Sequence, residues 1–211
     1  MVGGRWEASL QPDTDSDIQI AEEDRLRAHG YALLARMRAA PPGAETLAWV
    51  RTLAGDDSEF GRALGTLAAT ARQATVQSAR YEYDDLFVGV TRGELLPYAS
   101  YYLTGFLHEK PLVTLRRDLA RLGIRRTEEV KEPEDHIAFL CEVMVGLIIG
   151  TFGAPADLAE QQLFFDTHLA PWAPRFFEDL ERAKAAALYM PLGAVGRAFM
   201  AVEREAFAMA A

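Results

Sequence analysis

The spacing of apolar residues decides the fold class of this chain. Phe60, Leu64, Leu67, Ala71 and Ala74 recur at intervals of four, three, four and three, and Leu112, Leu115, Leu119 and Leu122 keep the same rhythm. Such intervals stack side chains on one face of a helix, whereas a half-buried strand alternates at every second residue. No sustained alternation of that kind occurs. Between Ile137 and Ile149 the apolar positions cover most of a helix circumference, which predicts a central helix. Breakers separate the periodic segments at Pro41-Pro42-Gly43, Gly55, Gly89 to Pro97, Gly123, Gly153-Ala154-Pro155, Pro171 and Pro191. The expectation is an all-α fold, a single globular bundle of nine or ten helices. No repeat recurs at a fixed period, which disfavours a solenoid.

The predicted helices cover about 18–38 with Asp17 as N-cap, 44–53, a long segment capped by Asp57 or Ser58, one or two turns over 81–87, and 112–122. Glu132-Pro133-Glu134-Asp135 reads as the opening of the central helix, because proline and acidic residues both suit a first turn. Helices over 156–169, 173–189 and 192–209 complete the pattern. Residues 1–17 are polar and read as a flexible tail on a helical domain spanning 18–211.

Several function classes fall away on composition and motif. Lys and Arg number 22 against 31 Asp and Glu, a formal charge of −9. A nucleic-acid binder needs a basic face to displace counterions, so an acidic chain argues against that role and leaves room for a basic partner. The one cysteine, Cys141, excludes an internal disulfide or a cysteine-built metal site, and its apolar setting predicts a buried, inert thiol. The longest apolar run, 137–152, is interrupted by Glu142 and falls short of the ~20 residues that span a bilayer. No secretory signal is evident, so the expected location is the cytoplasm. Gly-rich phosphate loops, a nucleophile elbow, His-Glu-x-x-His and paired Glu-x-x-His helices are all missing from the sequence. No catalytic residue, metal site or cofactor is therefore assigned.

Three constellations remain. Tyr81 to Gly89 with Leu96 to Tyr102 gathers tyrosines and Phe87 around a Gly/Pro loop, suiting either a core corner or an aromatic groove for a peptide. Glu132 to His136 reads either as a helix cap or as an anionic pocket in which Asp135 and Glu134 receive a cationic group and His136 fixes the carboxylate geometry. An Asp135–His136 acid–base pair is a further option, but no nucleophile or metal cluster accompanies it. Phe164 to Trp172 with Phe176-Phe177 reads as a packed helical hinge, with His168 near a helix C-terminus as a residue compatible with the dipole. Arg116-Arg117 and Arg125-Arg126 read as solvated faces with acidic neighbours.

Together these segments resemble the TorD/DmsD/NarJ group of cytoplasmic chaperones for molybdenum-cofactor oxidoreductases. The resemblance rests on Tyr-x-x-Leu-Phe-x-Gly (Tyr83 to Gly89), Pro97 with Ser100-x-Tyr102, Glu-Pro-x-Asp-His (Glu132 to His136) and Phe-Phe-x-x-His-Leu-x-Pro-Trp (Phe164 to Trp172), and runs from about Glu22 to Phe207. It implies an all-helical, non-catalytic protein that binds the twin-arginine signal peptide of the apo form of a molybdopterin oxidoreductase. The client would be held until its cofactor is inserted, before export. The peptide-binding positions it implies are Tyr83, Leu86, Phe87, Pro97, Tyr98, Asp135 and His136. On charge and shape, Asp135, helped by Glu134, would lie near the arginines and the aromatic set against the apolar segment. Tyr98 stands where some members carry Trp, and the loop after Gly89 reads Val-Thr-Arg-Gly. A helical interaction module with a changed partner, or a nucleotide-binding helical protein, are the competing readings. A monomer or a helix-swapped dimer are both compatible with the Pro/Gly-bounded loops.

Overall fold

The helices start and stop where loose backbone groups find partners. The computed structural model describes residues 6–8, 20–126 and 132–210, and among them are ten α-helices, one π-helical turn and two three-residue strands. The helices are α1 (Glu22–Ala39), α2 (Ala44–Arg51), α3 (Glu59–Gln73), α4 (Val76–Tyr83), α5 (Ala99–Thr104), α6 (Lys110–Arg121), α7 (Ile137–Ile149), α8 (Leu158–His168), α9 (Ala173–Arg182) and α10 (Tyr189–Ala210). Ser58 caps α3 by accepting the Gly61 N–H, Thr75 and Ser78 form a reciprocal capping box on α4, and Asp157 accepts the Glu160 N–H of α8. Pro111 and Pro174 sit in the first turns of α6 and α9, where no N–H is needed.

The helical class agrees with the periodicity, and several boundaries differ from it. The central helix opens at Ile137, not within Glu132–Asp135: His136 is its N-cap and the acids precede it. A short helix, α5, follows the Gly89–Pro97 loop in a stretch the apolar period leaves unassigned, because its six residues are too few to show one. α9 ends at Arg182, and Pro191 lies inside the first turn of α10 instead of before it. Trp6–Ala8, within the expected tail, pair antiparallel as β1 with β2, Ile124–Arg126. The other residues of 1–17, including Asp17, lie outside the described set.

Chain contacts resolve into two compact units, Met1–Ala35 with Tyr98–Leu169, and Arg36–Pro97 with Ala170–Ala211. In the first, α7 packs on α8 and α5 on α6. Ten of the thirteen residues of α7 are buried, Cys141 among them, and burial pushes its thiol far above the ordinary range. In the second, α10 packs on α9 and α3. The α9–α10 approach depends on glycine: a Cβ on Gly196 would enter the Phe177 ring.

Candidate functional site

The predicted site residues divide between the two units. Glu134, Asp135, His136 and Tyr98 belong to the first; Tyr83, Leu86, Phe87 and Pro97 belong to the second.

In the first unit, the turn before α7 docks against the start of α5. Tyr98 and His136 form an isolated antiparallel bridge, and the Asp135 carbonyl accepts the Ala99 N–H at 3.0 Å. Asp135 Oδ2 accepts the Ser100 N–H at 2.8 Å, so this carboxylate satisfies an orphan donor in the first turn of α5. Its other oxygen, Oδ1, has no hydrogen-bond partner although the residue is 1% exposed. A buried acceptor left unmade costs on the order of 1–3 kcal/mol, more when charged. His136 Nδ1 accepts the Ala138 N–H at 3.1 Å, which requires that nitrogen to be unprotonated. Its ring meets the Tyr98 ring edge-on with centroids 5.2 Å apart, and the Tyr98 hydroxyl donates to the Glu132 carboxylate.

Glu134 is already engaged. The Arg116 Nη2 donates to its Oε2 at 2.9 Å and Nε donates to the same oxygen at 3.1 Å. One of the twin arginines of α6 thus occupies the carboxylate that the sequence reading reserves for a partner's cation. Nothing in the local sequence signals this pairing, because eighteen positions separate the two residues.

Asp135 lines a cleft of about 310 Å³ with Ala99, Leu103, Lys110, Leu140 and His168 among its walls. His168 is not a simple helix-end residue. Its Nε2–H donates to Asp118 Oδ2 at 3.0 Å, and burial lowers its pKa more than the Asp118 hydrogen bond and charge raise it.

The second unit uses its aromatic residues differently. Tyr83 closes α4 and Phe87 lies in the π-helical turn Asp84–Val88, which ends at Gly89 with φ +63°. The wider turn sets Phe87 against both Tyr83 and Tyr189, with centroids 5.2 and 5.3 Å apart. The Arg38 guanidinium lies 3.3 Å from the Phe87 centroid, and the Tyr189 hydroxyl donates to the Met37 carbonyl at 2.9 Å. Leu86 is fully buried and Pro97 is buried, so neither presents a surface.

Acidic residues flanking this segment serve the backbone. Glu82 accepts the N–H groups of Ala187, Leu188 and Tyr189 at 2.7, 3.0 and 2.7 Å, and Glu94 accepts those of Lys184 and Ala185 at 2.8 and 3.1 Å. The α9–α10 connection is therefore held by two carboxylates that the sequence reading did not single out. Glu82 supplies the start of α10 with the acceptor that its own residues lack.

Among the described residues, no three His, Cys, Asp or Glu gather as a metal site, and no helix is long and apolar enough to cross a membrane.

Residues 53–178 match the nitrate reductase delta subunit family. The chain belongs to that family, the TorD/DmsD/NarJ group of chaperones. It is 28% identical over 193 residues to the chaperone protein TorD of Vibrio cholerae serotype O1, covering 86% of this chain and 82% of that one. Over a shorter stretch of 105 residues it is 33% identical to the chaperone protein TorD of Aliivibrio fischeri, covering 46% and 49% of the two chains. A crystal structure from Archaeoglobus fulgidus, described as that of a redox enzyme maturation protein, superposes with a TM-score of 0.57 at 18% identity, over 89% of this chain and 98% of the other. That likeness confirms the helical fold. The relatives are chaperones, and this chain accordingly serves molybdoenzyme maturation as a chaperone and not as an enzyme.

Proposed function

We propose that this chaperone is system-specific: it binds the twin-arginine signal peptide of one apo molybdoenzyme in the cytoplasm and holds that client for cofactor insertion before export. The observation that carries the reading is Asp135, a buried carboxylate with one oxygen unpartnered, on the wall of a cleft. A guanidinium answers that vacancy best. It stays charged at any physiological pH, and its planar fork donates several N–H bonds from one side chain.

Each neighbour has a part in this reading. Oδ2, anchored on the Ser100 N–H, fixes the carboxylate plane. His136 and Tyr98 brace the turn that carries Asp135. Glu134 adds negative charge beside it, exchanging Arg116 for the client's second arginine or sharing it. In the second unit Tyr83 and Phe87 stay half-exposed while Leu86 and Pro97 are buried.

Calorimetric titration with synthetic twin-arginine signal peptides from several molybdoenzymes tests the reading. Micromolar or tighter binding to one peptide, weakened when either arginine becomes lysine, is the expected result. Equal affinity for the lysine peptides would remove guanidinium recognition, because lysine keeps the charge and loses the fork.

A further inference from the structure

We infer that the α5–α6 hairpin is a docking surface for an apolar peptide segment that follows the arginine held by Asp135. This rests on the signal-peptide reading and assigns its apolar half to residues that the sequence did not nominate. The residues it did nominate are largely spent: Leu86 and Pro97 are buried, and Phe87 packs against Tyr83 and Tyr189.

The hairpin has the opposite character. Of the eleven phenylalanines, Phe106 alone is exposed, at 70%. Leu103, Leu107 and Val113 are exposed with it, Val113 at 67%. Lone exposed apolar residues are ordinary, but a cluster on one short hairpin marks an interaction site. Leu103 ties the cluster to the cleft: with Thr104 at the end of α5, and Lys110, Pro111 and Thr114 at the start of α6, it lines the same walls as Asp135. Phe106 and Leu107 lie in the link between those two stretches.

The link is held in place. Thr104 Oγ1 donates to the Ser100 carbonyl at 2.8 Å and accepts the Phe106 N–H at 3.2 Å. Gly105 has φ +83° and His108 φ +63°, so the link passes through the left-handed region at both positions, which is uncommon for a residue that carries a Cβ. Phe106 is thereby presented on an ordered turn, which lowers the entropic cost of using it as an anchor.

Charge selects the occupant. One end of the surface is a buried carboxylate with one oxygen lacking a donor and the other is apolar, which matches a segment with a guanidinium followed by apolar residues. Lys110 stands at the exposed rim, where solvent and salt screen its charge.

The test compares the full-length chain with a Phe106→Ser/Leu107→Ser variant, and separately with Val113→Ser, against two synthetic peptides. One is the twin-arginine signal peptide that binds best; the other keeps its arginines and replaces the apolar stretch with Ser and Gly. The double variant should lose about tenfold or more in affinity for the first peptide, since removing a central aromatic anchor commonly costs a full decade. It should bind the second peptide as the parent does, and Leu163→Ser, an exposed position on α8, should change neither. Val113→Ser should show the same peptide-selective loss, smaller in size. Unchanged affinity for the full peptide, or equal loss for both peptides, overturns the docking surface and leaves signal recognition standing. A parent dimer that the double variant dissolves without altering peptide affinity would assign the surface to a second copy and likewise overturn it. Failure of the parent to bind any signal peptide overturns both readings.

Discussion

The turn before α7 and the aromatic node of the second unit are built from equally rich motifs, and they end in opposite states. In the node the flanking carboxylates and the tyrosine hydroxyls are engaged: Glu82 and Glu94 accept five backbone N–H groups of the α9–α10 connection, and the Tyr83 and Tyr189 hydroxyls donate to carbonyls of α1. In the turn before α7, Asp135 spends one oxygen on α5 and keeps the other buried without a partner. A carboxylate that meets its needs within the chain contributes to stability. One that does not is a cost to the fold, offset only when something else supplies the donor. Motif density alone does not separate the two cases; the hydrogen bonds do.

The sharpest way to break the comparison is to truncate each region and ask which property moves. Leu86→Ala removes a fully buried side chain from the aromatic node and should destabilise the protein by about 2–5 kcal/mol in denaturant titration. Peptide affinity, measured where the variant is still folded, should hold. A large loss of affinity with little loss of stability would instead make the node part of the binding surface.

Asp135→Asn should do the reverse. Asparagine keeps an acceptor for the Ser100 N–H, so stability should change little, while client-peptide affinity should fall by about 2 kcal/mol or more. Calorimetry at low and moderate salt checks this. Unchanged affinity at both would mean that the carboxylate is structural, like Glu82.

The smallest expected effect concerns His168 on the wall of the cleft. Burial lowers its pKa from the ordinary 6.5, so the folded state favours the neutral ring and the unfolded chain binds the proton more readily. The resulting stability is present above pH 6.5 and is lost as pH falls through the lowered value. Denaturation midpoints recorded from pH 7.5 to 5 should decline more steeply for the parent than for His168→Gln. Parallel curves would show that Asp118 stabilises the charged ring as much as burial opposes it.

How much was legible in the sequence follows from the range of the interactions involved. Helix class, the cap at Ser58, the stop at Gly123 and the buried Cys141 rest on neighbours within a turn or two, and periodicity and short motifs report those directly. α5 escaped notice because its six residues are too few to show a period. The acids at Glu132 to Asp135 were read as a helix start because acids favour first turns, but His136 took the cap and Asp135 turned to a different helix. Glu82 and Glu94 went unnoticed because their partners lie about a hundred residues away.

From its residues alone this chain was bound to be helical, acidic, without a metal or nucleophile motif, and close in pattern to a chaperone family. Those properties depend on composition, local period and short motifs, all of which survive in a linear string. Only the tertiary structure decided which carboxylates are spent and which remains open, that Arg116 answers Glu134, and that Phe106 faces solvent in the link between α5 and α6. Those outcomes turn on which distant backbone N–H or side chain arrives within about 3 Å, and hydrogen bonding at that distance is set by packing and not by sequence proximity.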